Sequence, residues 1–109
     1  MDINRHAATI AAYTMSRFNT TLGWASAKEA YYRISQLTGV DKSTVKVGMR
    51  DVFDFWYPWR VGWRRETNAA KWHWDEELKK VFVECNPLSE EELMRMLRLL
   101  GLAKEKEAA

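Results

Sequence analysis

The sequence predicts an all-α fold, a compact bundle of about five helices. Three observations carry this expectation. Apolar residues recur three and four positions apart along most of the chain, and no strand pattern is evident. Two Ser-x-x-Glu boxes, Ser26 with Glu29 and Ser89 with Glu92, mark helix starts, since serine bonds forward while glutamate reaches back. Gly39 and Gly101 stand where helices should stop, because glycine takes the left-handed conformation without a Cβ penalty.

The elements follow in order. Residues 2 to 18 read as a helix, with Ile3, Ala7, Ile10, Ala11, Thr14 and Phe18 close to one stripe. The segment "NTTLGW" breaks it, and the Ser26 box opens a second helix with Ala30, Ile34 and Leu37 on one face. A third helix should start from Asp41 or Ser43 and turn Val45, Met49, Val52 and Phe53 inward. Gly48 weakens it by about 1 kcal/mol relative to alanine. Pro58 ends that helix or follows its end, and residues 57 to 71 read as irregular. A fourth helix runs from about Trp74 to Cys85, with Asp75, Glu76 and Glu77 suiting its N-terminal dipole. The Ser89 box opens the last helix, which Gly101 closes.

At 109 residues the chain is one domain, residues 1 to 102, with a tail from 103 to 109 expected to fray. Hydrophobic residues at 47% and charged residues at 29% place it among globular rather than disordered chains. No apolar run approaches the roughly 20 residues that span a bilayer, and the N-terminus lacks a signal pattern. Cys85 is the single cysteine and has no partner for a disulfide or a zinc site. The expectation is a cytoplasmic protein with no membrane contact and no cofactor.

The net charge of +2 is small, but its distribution is uneven. Residues 42 to 65 carry six cations against Asp51 and Asp54, a net of +4. Residues 84 to 107 carry six glutamates against four cations, a net of −2. A basic centre of this kind suits an anionic partner, although charge runs are more often solvated faces.

The stretch "ISQLTGVDKSTVK", residues 34 to 46, resembles a helix-turn-helix. Ser35 is small and stands four positions before Gly39, Val40 follows the glycine, and Val45 returns to the core. In that motif the start of the second helix enters the major groove of double-stranded DNA. The resemblance therefore assigns Lys42, Ser43, Thr44, Lys46, Val47 and Arg50 to the groove-facing set, with plain solvation as the simpler reading.

A longer similarity begins at the same place. The run "TGVDKSTVKVGMRDVFDFWYPWRVGWRRE", followed by "LSEEEL", resembles an accessory helical module of some bacterial restriction endonucleases of the HNH type. The matching residues are Arg50, Asp51, Phe53, Asp54, Pro58, Arg60, Gly62, Trp63 and 88 to 93, within a span of about residues 24 to 100. Nothing in the chain resembles the nuclease part. The only histidines are His6 and His73, and no metal-ligand set follows them. The resemblance thus implies a recognition module without the nuclease.

"FDFWYPWRVGWRRE", residues 53 to 66, interleaves six aromatic residues with three arginines. Phe53, Trp56 and Trp63 are expected in the core or anchoring the loop, with Gly62 allowing a tight turn. Arg60, Arg64 and Arg65 are the candidates for phosphate contact, and Trp59 is the aromatic expected at the surface.

No catalytic constellation emerges. Cys85 with His73 lacks a third group to orient either side chain, and "WHWDEE" offers one histidine beside acids at a helix start. Two functions from different classes remain. One is a non-catalytic DNA-binding module, a regulator or the targeting part of a defence or mobile-element system. The other is a small phage-type inhibitor or adaptor that binds a bacterial nuclease-system protein. In the last helix Leu93, Met94, Met96, Leu97, Leu99 and Leu100 wrap more than one stripe. Met94, Met96 and Leu100, with Trp59, are therefore candidates for contact with a protein target or with a second copy in a homodimer. A scaffold that has lost both sites is a third possibility.

Overall fold

The structure, a computed structural model, describes residues 3–56 and 75–106. Among these residues the fold is all-α, with no strand. The helices are α1 (Ile3–Phe18), α2 (Ala27–Thr38), a π-helical segment (Thr44–Arg50) continuing into α3 (Asp51–Trp56), α4 (Glu76–Cys85) and α5 (Glu90–Leu99). The expectations placed on Tyr57 to Trp74, including Pro58, Gly62 and Trp63, lie outside the described residues, as does the side chain of Trp56.

Helix α1 is the hub. It packs against the π segment and against α2, α3, α4 and α5. The single stripe expected of it is too narrow: Ala8 to Ser16 are all buried, while Ile3 at its start is 82% exposed. Small residues make this possible, because Ala8, Ala11 and Ala12 let neighbours approach on several sides. The polar residues in this run are satisfied locally or across the core. Thr14 Oγ1 donates to Ile10 O at 2.9 Å, and Ser16 Oγ donates to the buried Asp54 Oδ1 at 2.5 Å. Tyr13 meets Phe53 and Phe82 edge-on, with centroids 5.4 and 6.3 Å apart.

Helix ends form largely where their residues call for them. Ser26 Oγ accepts from Glu29 N–H at 3.1 Å, and Asp75 accepts from Leu78 N–H at 2.8 Å. Ser89 and Glu92 close a full capping box. Gly39 and Gly101 take φ of +75° and +80°. The face expected on α2 shifts: Ala30, Tyr31, Ile34 and Thr38 are buried, and Leu37 is 53% exposed. Beyond Lys42 the helix is π rather than α from Thr44 to Arg50, with Asp51 N–H bonded to Lys46 O five residues back. Thr44, Val45 and Val47 are β-branched and Gly48 has no side chain, so α-helical geometry is least favoured there. Val45, Met49, Val52 and Phe53 still face the core, as expected.

The tail departs from expectation at its start. Ala103 is buried beside Leu102, Trp24 Nε1 donates to Leu102 O at 3.1 Å, and Lys104 N–H donates to Leu22 O at 2.9 Å. The domain therefore runs past residue 102, because those groups close the core between α1 and α2.

Candidate nucleic-acid interface

The corner between α2 and the following helix builds an open cleft. Gly39 N–H bonds to Ser35 O at 2.8 Å, and Thr38 Oγ1 donates to Ile34 O while accepting from Val40 N–H. Asp41 Oδ2 then accepts from Ser43 N–H at 3.0 Å, and Val45 N–H reaches Asp41 O at the same distance. With Val45 and Met49 turned into the core, Lys42, Lys46, Val47 and Arg50 are left facing outward. They form one wall of a cleft of about 740 Å³, with Ser43 also on this side. Ala27, Lys28 and Tyr31 of α2 form the opposite wall, and the buried Asp51 closes it.

Four cations thus meet one carboxylate. Among the described residues none of Lys28, Lys42, Lys46 and Arg50 forms an ion pair. Among the residues lining the cleft the cations outnumber the single carboxylate, which favours an anion there. Arg50 is held by neutral groups: Nη1 donates to Tyr31 Oη at 2.9 Å and Nη2 to Asn19 Oδ1 at 3.2 Å. Burial raises the Tyr31 pKa above its ordinary 10, against the opposing pull of Arg50. Lys42 Nζ sits 5.7 Å from the Tyr32 ring centroid, within cation–π range.

Of the residues expected here, Lys42, Ser43, Lys46, Val47 and Arg50 line the cleft, and Thr44 is half-buried outside its lining. Trp59, Arg60, Arg64 and Arg65 lie outside the described residues. Sequence reasoning missed Lys28 and Tyr31. Their three-residue spacing puts them on one face of α2, but only the fold turns that face toward Lys46 and Arg50.

The residues expected to meet a partner divide. Met94 is buried, a correction, because it fills the core beside Leu93 and Leu97. Met96 is half-buried, whereas Leu99 and Leu100 are 84% and 49% exposed. Leu37, 53% exposed, lies beside Gly101, where an added Cβ would stand 3.6 Å from Leu37 Cδ1. Elsewhere, burial pushes the Cys85 thiol up to about 11, which keeps it protonated near neutrality. Among the described residues no group of three or more metal-ligating side chains comes together.

Fold and site define a small helical domain with a cleft lined by four cations and one carboxylate. No family model, no curated protein and no solved structure matches the chain.

Proposed function

We propose that the chain is a non-catalytic DNA-binding module, a regulator or the targeting part of a defence or mobile-element system. One observation carries this reading: four cations from two helices converge on one cleft with no ion-pair partner among the described residues. In this reading α2, the Gly39 turn and the helix after it act as a helix-turn-helix pair, and Lys42, Lys46 and Arg50 approach the phosphates of double-stranded DNA. The resemblance read from the sequence, to the accessory module of HNH-type restriction endonucleases, belongs to this proposal.

Fluorescence anisotropy of a labelled duplex, at roughly 50 and 200 mM salt, tests it. Affinity should fall steeply with salt, and Lys42→Ala and Lys46→Ala should each lower the salt slope by about one unit. An unchanged slope in the double variant sinks the proposal.

Exposed Leu37, Leu99 and Leu100 favour a second reading, a protein-binding inhibitor or adaptor, or a homodimer through α5. Light scattering on the Leu99→Glu, Leu100→Glu variant checks the homodimer. A mass equal to that of the unaltered chain removes it.

A further inference from the structure

The four cations do not stand alike in the cleft. Lys28, Lys42 and Lys46 are exposed, each a point charge on a flexible stem. Arg50 is half-buried, and its guanidinium is held from two sides by Tyr31 Oη and Asn19 Oδ1. Both are neutral acceptors, so they orient the fork without cancelling its charge. Two of its five N–H groups are used in this way, and the others remain for a ligand.

Tyr31 has a matching spare group. Its oxygen accepts from Arg50, which leaves its own O–H to donate, and that O–H has no acceptor among the described residues. The ring is nearly buried, yet Tyr31 lines the cleft. A hydroxyl donor and a planar cationic fork, joined at 2.9 Å, therefore meet where the two walls of the cleft come together.

Lys42, Lys46 and Arg50 follow at four-residue intervals, and in an α-helix each such step overshoots a full turn by about 40°. All three nevertheless line the cleft, along a helix whose turn is wider from Thr44 to Arg50.

We infer that Tyr31 and Arg50 form a phosphate-recognition pair, in which the Arg50 fork takes two oxygens of one phosphodiester and the Tyr31 hydroxyl donates to it. Asn19 is a positioning residue for the fork. The inference rests on the cleft being the nucleic-acid site, and it adds that one phosphate is recognised by geometry while the lysines act through charge alone.

Two variants separate geometry from charge. Arg50→Lys keeps the charge and loses the fork, so duplex affinity should fall about tenfold with the salt slope unchanged. Tyr31→Phe keeps the ring and loses the hydroxyl, so affinity should fall severalfold at every salt concentration. Thermal midpoints of both variants, read beside the binding curves, separate this from loss of fold. If both bind as the unaltered protein does while Lys42→Ala and Lys46→Ala bind weakly, the pair is refuted and the nucleic-acid reading stands.

Titration with inorganic phosphate, followed at the Arg50 Nε–H resonance by NMR, tests the pair without nucleic acid. A shift in that resonance that Tyr31→Phe weakens supports the pair even if no duplex binds, the outcome in which the nucleic-acid reading alone fails. No shift up to high phosphate overturns it. A duplex with 5′-phosphate ends that binds much tighter than its 5′-hydroxyl counterpart supports the pair with a terminal phosphate as the source.

Discussion

Arg17 and Cys85 illustrate how single side chains hold the core at its α4–α5 corner. The Arg17 guanidinium donates to Leu88 O at 2.8 Å and to Cys85 O at 3.2 Å, and lies 4.6 Å from the Phe18 ring centroid. It ties the turn after α4 to the end of α1. The Cys85 thiol sits buried beneath that turn, and burial, helped by Glu84, lifts its pKa from 9.0 to about 11. Because the folded-state value is the higher one, its contribution to stability is complete below pH 9 and is lost as pH rises toward 11. Urea denaturation should show stability declining between pH 9 and 10, and Cys85→Ala should remove that part of the decline. Tyr13 and Tyr31, also raised by burial, act only above pH 10. A decline of equal steepness in the variant rules out Cys85 as its cause. The Arg17 contacts were not legible in the sequence, because they join residues far apart along the chain.

At the scale of elements, turns and caps were the most legible features, because they depend on residues within four positions of each other. Gly39 and Gly23 both have positive φ, but their surroundings differ. A Cβ on Gly39 meets nothing within 4 Å, whereas one on Gly23 stands 3.2 Å from Lys104 Cβ. Gly39→Ala should therefore cost only the left-handed strain, about 1 kcal/mol. Gly23→Ala should cost more, because the docked tail must also shift. Equal losses in urea denaturation would mean that the tail gives way freely. The π segment was not legible. Its β-branched residues and Gly48 weaken the α-helix, but the segment also packs against α1, and that long-range contact leaves no mark in the local sequence.

Across the whole molecule, the Cα radius of gyration is 13.0 Å, near the value of about 13 Å for a compact domain of this length. Compactness depends on closure by the tail. Leu102 and Ala103 are buried, and the 19–24 segment bonds to the tail through Trp24 and Leu22. Ending the chain after Gly101 should cost several kcal/mol, since burial of Leu102 alone is worth about 2–5 kcal/mol. Ending it after Lys104 should change stability by less than about 0.5 kcal/mol. Thermal denaturation of the two truncated chains compares them directly, and equal stability would refute the role given to residues 102–104.

By itself the sequence determined where helices start and stop, the helical class and the row Lys42, Lys46, Arg50. Caps, glycine turns and four-residue spacing are local, and their physics is complete within a turn or two of helix. Only the tertiary structure decided that the middle of α1 is enclosed, that Met94 is core while Leu37 and Leu99 are surface, and that Lys28 and Tyr31 face Arg50. Each of those depends on contacts between residues distant along the chain, such as Tyr31 with Arg50 or Leu22 with Lys104, and local periodicity carries no record of which faces will meet.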